Sequence, residues 1–172
     1  MTVNKGSAKF RVSNTAIQIV PATAADADAV VRIRQQAVEA ERENNFYPQA
    51  TIDGWLKFGG VEGFADFLAA PGRCFLLAMA GKDIAGFCSA RYSQIQATYV
   101  APTFQGQGVG KALLSTVEAN AVKQSVAWLF LHASLNSVPF YRHAGFVEHG
   151  QVRRSFSHGA QIECVRMDKM LI

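Results

Sequence analysis

The chain has 172 residues, of which 49% are hydrophobic and 17% charged, a composition that excludes disordered and fibrous proteins and is typical of globular ones. This length suits one domain with a single core, and the apolar runs are far too short to cross a bilayer. The formal net charge of +4 favours anionic partners, but the basic residues are scattered, so a small anionic ligand fits better than nucleic acid does.

The start of the chain is polar and aperiodic, so we expect a loose N-terminal leader over 1–15 and one domain over 16–172. No apolar stretch follows the basic residues of this segment, which predicts a cytoplasmic protein without a secretory signal or membrane contact. Three widely spaced cysteines, Cys74, Cys88 and Cys164, are expected to be small core residues in a reducing compartment. None has a companion at metal-ligand spacing, so no metal site is predicted.

The first half of the chain predicts one strand and two helices. The segment 17–20 alternates and stops at a proline, which is typical of a short strand. Thr23 is expected to cap a helix through residue 38, because apolar residues recur there at three- and four-residue spacing. Thr51 is expected to cap a second helix, which breaks at a Gly-Gly pair and resumes through residue 68.

The pattern then changes to strands. Segments 74–80 and 84–92 predict two strands joined by a tight turn, and 93–100 predicts a third that ends before Pro102. A helix with an apolar face over 113–121 follows the next loop.

The last part of the chain predicts another mixture of strands and helices. A buried strand is expected over 128–133, a short helix over 138–144, and a closing pair of strands around the turn at His158-Gly159. Strands that alternate with helices and are flanked by hairpins predict a mixed α/β sheet with helices on both faces.

The stretch FQGQGVGKALL, residues 104–114, places three glycines between a predicted strand and a predicted helix. Free N–H groups at a helix start, together with the helix dipole, favour a bound phosphate. Lys111 stands where a dinucleotide-binding fingerprint needs its last glycine. Gln105 and Ala112 stand where a P-loop needs a glycine and a hydroxyl. Both of these phosphate-binding motifs are therefore excluded.

The same stretch resembles the coenzyme A pyrophosphate loop of the GNAT acyltransferase superfamily, whose pattern is Gln or Arg, two residues, Gly, one residue, Gly or Ala. Gln105, Gly108 and Gly110 fill this pattern. A second motif of the family, a tyrosine four residues before a Gly-Phe pair, is matched by Tyr141 and Gly145-Phe146. The order of predicted elements from residue 17 onward is also similar to that of the family.

This resemblance implies a single-domain, mixed but mostly antiparallel sheet flanked by helices on both faces. It implies transfer of an acetyl or other acyl group from acetyl-CoA to a primary amine of a small molecule or peptide, by direct attack. Tyr141 is implied as the proton donor to the leaving thiolate, and a backbone N–H at Tyr99 or Val100 as the donor to the carbonyl oxygen. The cofactor-binding residues that it implies are Tyr99, Val100, Gln105, Gly106, Gln107, Gly108, Val109, Gly110, Lys111, Asn136, Phe140 and Tyr141. Homodimers are common in the family, but the sequence indicates no surface for one.

Several assignments stay open at this point. Many family members place an asparagine seven residues before the tyrosine, where it meets the pantetheine arm. Here that position is Ser134, and Asn136 is the alternative. Phe140 is expected to be more of a core residue than its neighbour Tyr141.

The base that takes the proton of the amine is left open between His132, one of the glutamates that end the first helix, and water. Those glutamates are Glu39, Glu41 and Glu43.

The acceptor pocket is equally open. Phe46, Tyr47 and Trp55 would line an aromatic pocket or simply pack, and packing is the favoured interpretation. Arg153 and Arg154 would suit an anionic acceptor, whereas the glutamates would suit a cationic one.

A non-catalytic module that binds or senses acyl-CoA is the alternative function. Nucleic-acid binding rests only on the net charge and is not predicted.

Overall fold

Seven strands form one sheet in the computed structural model, which describes residues 16–172. The strands are β1 (Ile17–Pro21), β2 (Arg73–Ala80), β3 (Asp83–Arg91), β4 (Gln94–Val100), β5 (Trp128–Ser134), β6 (Val147–Ser155) and β7 (Gln161–Met170). Their order is β1-β2-β3-β4-β5-β7-β6, and every neighbouring pair is antiparallel except β4 and β5. The predicted mixed, mostly antiparallel sheet is therefore confirmed. The predicted leader over 1–15 lies outside the described residues.

Five α-helices connect or flank the strands of the described chain. They are α1 (Ala27–Ala40), α2 (Gln49–Leu56), α3 (Phe64–Ala69), α4 (Val109–Lys123) and α5 (Val138–His143). Two helix starts differ from the sequence prediction. Thr23 caps a short 3-10 turn ahead of α1, where its N–H and hydroxyl both donate to Asp26 Oδ2. Helix α2 begins two residues before Thr51, because the Pro48 carbonyl already accepts from the Thr51 and Ile52 N–H groups.

The helices cover both faces of the sheet, as predicted. Because successive side chains of a strand point to opposite faces, Leu76 and Ala78 of β2 pack with Leu113 of α4, whereas Leu77 packs with Ile33 of α1. Helices α4 and α5 lie on one face and α1 to α3 on the other. Within residues 16–172, no helix is both long and apolar enough to cross a membrane.

The two parallel strands separate soon after they meet. Gln94 and Phe130 are the one register pair between β4 and β5, supported by a 2.9 Å bond from the Phe130 N–H to the Ser93 carbonyl. Beyond this point both strands continue, to Val100 and Ser134, without pairing to each other. A gap therefore opens at their carboxyl ends, which is the edge where open α/β sheets bind ligands.

Candidate active site

The glycine loop lies beside this gap and leads into α4. Gly108 precedes the first residue of α4, and the first helical bond of α4 runs from the Ala112 N–H to the Gly108 carbonyl at 3.0 Å. The N–H groups of residues 109–111 are thus left free by the helix. Gly106 and Gly108 have φ angles of +72° and +80°, which favour glycine. A Cβ at either position would meet no atom within 4 Å, so the loop faces open space.

The start of α4 packs closely against α5. A Cβ on Gly110 would lie 3.3 Å from the ring of Phe140, so a side chain there would push the two helices apart. Val109 is buried and is available only through its N–H, whereas Lys111 is exposed at the open side. The structure thus brings the predicted loop residues together with Phe140. Gln105 is exposed, and its Nε2 lies 3.5 Å from the Val100 carbonyl oxygen.

The direction of the N–H groups on β4 distinguishes Tyr99 from Val100 as the predicted donor to the carbonyl oxygen. The Ala101 N–H donates to the Ala85 carbonyl of the neighbouring strand β3 at 2.9 Å, and Tyr99 pairs with Phe87 in the same register. Because hydrogen-bonded and non-bonded pairs alternate in an antiparallel ladder, Tyr99 directs its N–H to β3. The Val100 N–H points the other way, into the gap. Val100 is therefore the better placed of the two.

Tyr141 is buried in the core rather than exposed at the surface. It is only 6% exposed, packs in the main core cluster and stacks edge-on with Phe140 and Phe146. The expectation that Phe140 is the core residue is wrong, since Phe140 is half-buried against the loop. Val138 and Tyr141, three residues apart, share the inward face of α5.

The phenol of Tyr141 reaches from α5 toward β4, where the Thr98 side chain opposes the effect of burial on its pKa. Thr98 also lies 3.3 Å from the Cys88 sulfur. Burial, reinforced by Cys88, raises the pKa of the Tyr141 phenol, so the phenol stays protonated at neutral pH. Sequence reasoning missed Thr98, although its place two residues before Val100 puts both side chains on one face of the strand.

Asn136, rather than Ser134, has a side-chain acceptor atom without a hydrogen-bond partner in the described chain. The Ser134 hydroxyl donates to the Ser137 hydroxyl at 3.0 Å and so stays within its own turn. Asn136 Nδ2 donates to Glu41 Oε1 at 2.6 Å. Its other polar atom, Oδ1, is buried and has no hydrogen-bond partner among residues 16–172. A buried acceptor without a partner needs an explanation, and an N–H of a bound molecule would supply one.

His132 is poorly suited to act as the base in this arrangement. Arg154 Nη1 lies 2.7 Å from His132 Nδ1, and a guanidinium can only donate. The neutral ring must therefore carry its own proton on Nε2, which leaves no free nitrogen to accept one. Burial lowers the pKa of His132, and Arg154 and Arg166 lower it further.

The three glutamates near the end of α1 have different environments. Glu39 is exposed and pairs with Arg42 at 2.6 Å, and Glu43 is exposed. Glu41 is only 7% exposed, and its Oε2 accepts from Asn44 Nδ2 at 3.1 Å. Burial raises the pKa of the Glu41 carboxyl, opposed by the bond from Asn44. Glu41 is thus the one of the three that the fold encloses.

The aromatic residues of the acceptor side mostly pack. Tyr47 and Trp55 are buried, and Trp55 Nε1 donates to the Tyr99 hydroxyl at 3.0 Å. Phe46 is 48% exposed and borders a 290 Å³ cavity between α2 and the last hairpin. Arg153, which also lines this cavity, is paired with Glu163 at 3.2 Å. The packing interpretation therefore agrees with the structure for Tyr47 and Trp55 but not for Phe46.

Replacing Tyr47 by phenylalanine should destabilise the fold in a pH-dependent way. The Tyr47 hydroxyl accepts from the Leu135 N–H at 2.7 Å and donates to the Glu163 carbonyl at 2.8 Å. Leaving such groups without a partner costs about 1 to 3 kcal/mol at neutral pH.

Burial raises the pKa of Tyr47 above its ordinary value of 10.0, so above that pH the unfolded chain loses a proton that the folded chain keeps. The stability that the phenol contributes is therefore complete below pH 10.0 and is lost as the pH rises further. Relative to Tyr47→Phe, the wild-type advantage should shrink by about 1.4 kcal/mol per pH unit. Urea unfolding of both proteins from neutral to alkaline pH measures this, and a constant difference would refute it.

Two parallel strands that separate beside a glycine-rich helix start are typical of acyl-coenzyme A dependent transferases. A model of the family described as "Acetyltransferase (GNAT) domain" matches residues 35–171. The chain belongs to this GNAT acetyltransferase family, and acetyl-CoA is the co-substrate of such enzymes. A search of curated protein sequences found no significant match.

Solved structures with this fold agree with the family. A GCN5-related N-acetyltransferase from Rhodopseudomonas palustris is 23% identical, with a TM-score of 0.77 over 89% of this chain and 94% of that one. The acetyltransferase yncA from Salmonella typhimurium, solved with acetyl-CoA, is 19% identical, with a TM-score of 0.69 over 91% and 95%. The ribosomal-protein-S18-alanine N-acetyltransferase from Escherichia coli is 19% identical, with a TM-score of 0.66 over 91% and 94%.

The residues present fit coenzyme A. The free N–H groups at the start of α4 and the exposed Lys111 suit its pyrophosphate. The unpartnered Asn136 Oδ1 suits an amide N–H of its pantetheine arm. β4 leads into the glycine loop and β5 into the turn that carries Asn136, so both groups follow strands that border the gap.

Proposed function

We propose that this enzyme transfers an acetyl group from acetyl-CoA to a primary amine by direct attack, without a covalent enzyme intermediate. One observation carries the proposal: β4 leads into the glycine loop and β5 into the helix that carries Tyr141, and these two parallel strands separate after a single register pair. When bound, acetyl-CoA supplies the acetyl thioester. We further propose a cytoplasmic protein whose acceptor is a small molecule or a peptide.

The loop holds the coenzyme in this proposal. The N–H groups of Gly106, Gln107, Gly108, Val109, Gly110 and Lys111 surround the pyrophosphate, and the Lys111 ammonium adds charge. Gln105 braces the end of β4 through the Val100 carbonyl. Phe140 packs against Gly110 in the first turn of α4. Asn136 and the Tyr99–Val100 backbone border the pantetheine arm.

Val100 and Tyr141 do the chemical work. The Val100 N–H, free of the β3 ladder, donates to the carbonyl oxygen as negative charge develops on it. One such donor can contribute about 3 to 4 kcal/mol to catalysis. As the amine bonds to the carbonyl carbon and the C–S bond breaks, Tyr141 gives its proton to the departing sulfur and the amine releases its own proton to water. General acid catalysis of this kind typically contributes about 10² to 10⁴ in rate. Burial keeps the phenol protonated at neutral pH, so the proton is present when the thiolate leaves.

A panel assay tests the proposed function. Thiol release from acetyl-CoA is followed with polyamines, aminoglycosides, amino acids and peptides as acceptors. The panel includes a peptide with N-terminal alanine, since one structural neighbour is named for that acceptor. Thiol release with an acetylated amine detected by mass spectrometry is the expected result. Tight coenzyme A binding with no turnover across the panel would instead favour a non-catalytic binding module.

A further inference from the structure

Glu41 is a buried carboxylate whose partners carry no charge. None of the ion pairs formed by residues 16–172 includes it. Its two oxygens accept from the side-chain amides of Asn136 and Asn44, at 2.6 and 3.1 Å. A carboxylate removed from water is costly unless it is well paired, so its place beside Asn136 needs a reason.

The bond to Glu41 decides which way the Asn136 amide faces. An ionised carboxylate only accepts hydrogen bonds, so the Asn136 atom that lies 2.6 Å from Glu41 Oε1 must be the amide nitrogen. The amide oxygen then has to point elsewhere, and it is the buried atom that has no partner in the described chain.

The backbone under Asn136 is held as well. The Leu135 N–H donates to the Tyr47 hydroxyl at 2.7 Å. The Ser137 hydroxyl donates to the Ser134 carbonyl at 2.9 Å. Asn136 thus sits in a pinned turn at the carboxyl end of β5, beside the gap. The turn fixes the backbone of Asn136, and the bond to Glu41 fixes its amide nitrogen. Glu41 is therefore the contact that sets the direction of Asn136 Oδ1.

We propose that Glu41 is a positioning residue for the coenzyme: it holds Asn136 by Nδ2 so that Oδ1 accepts an N–H from the pantetheine arm. Glu41 itself need not touch the coenzyme. This inference rests on the proposed function, because it requires that coenzyme A bind in the gap. It also links the segment after α1, on the acceptor side, to the binding of the donor.

The test compares two ligands by calorimetry on the full chain. Coenzyme A carries the pantetheine arm, whereas 3′-phosphoadenosine 5′-diphosphate has only the part that meets the glycine loop. Glu41→Leu and Asn136→Ala should each weaken coenzyme A binding by about threefold to tenfold, the value of one neutral hydrogen bond. Both should leave binding of the shorter ligand unchanged. The double variant should bind coenzyme A no worse than Asn136→Ala, since the two residues act through one contact.

Two further variants separate positioning from a general structural role. Glu41→Gln keeps an oxygen that can accept from Asn136, and should bind coenzyme A within about twofold of wild type. Glu43→Gln, in the same turn but exposed, is the matched control and should change neither ligand. Leucine leaves the Asn136 amide without its acceptor, which costs about 1 to 3 kcal/mol in stability, and thermal unfolding of each variant checks that it still folds.

The inference is overturned if Glu41→Leu binds coenzyme A as wild type does, weakens both ligands equally, or adds its full effect to that of Asn136→Ala. It is also overturned if Glu41→Gln behaves like Glu41→Leu. A wild-type protein that binds neither ligand would instead refute the proposed function.

Discussion

Tyr141→Phe is expected to lower kcat at least tenfold while coenzyme A binding stays within about twofold of wild type, the loss being that of general acid catalysis. The substitution removes one oxygen and keeps the ring between Phe140 and Phe146. Without the phenol, the thiolate has to leave as an anion in a buried, apolar part of the gap, which is unfavourable. Steady-state thiol release, together with calorimetric titration of coenzyme A, measures both quantities.

Tyr92→Phe is the matched control for this prediction. Tyr92 is 63% exposed at the turn after β3, so the same atom is removed far from the gap, and kcat should not change. Tyr141→Phe also changes a buried side chain, so its stability is expected to differ from that of wild type. Activity is therefore compared well below the unfolding temperature. Wild-type turnover in Tyr141→Phe would remove Tyr141 from the mechanism and assign the proton to water.

The order of strands and helices could be predicted from the sequence because local signals determine it. The alternation in β1, the stop at Pro102 and the glycine after α5 each act over a few residues. The helix starts were less predictable. Pro48 fixed the start of α2 by offering its carbonyl to two N–H groups, which is a stronger local effect than the capping preference of Thr51.

The burial of side chains could not be predicted where the two faces of the sheet meet different helices. Phe140 is the more hydrophobic of these two neighbours, and only the packing of α5 in the fold decides that Tyr141 turns inward instead. The pairing of Glu41 with Asn136 joins residues 95 positions apart in the chain. No periodicity signals such a contact, so three equivalent glutamates in the sequence became distinct only in the fold.

Gly108→Asp is expected to weaken coenzyme A binding at least a hundredfold more than Gly108→Asn does. Both residues tolerate the left-handed conformation that Gly108 adopts, at +80°. Both side chains also enter the same open space in front of α4. They differ in one negative charge, placed where the pyrophosphate is proposed to sit. Two like charges about 4 Å apart near a protein surface repel by about 4 kcal/mol, nearly a thousandfold in affinity.

The dependence of coenzyme A affinity on ionic strength distinguishes charge repulsion from a steric effect of the side chain at position 108. The difference in coenzyme A affinity between Gly108→Asp and Gly108→Asn should become smaller as the ionic strength rises, because the charges near this open loop are screened. Titrations of coenzyme A at low and high salt measure it, with thermal unfolding as a check that both variants fold equally well. Equal affinities for the two variants at low salt would place the pyrophosphate away from Gly108 and would refute the role proposed for the loop.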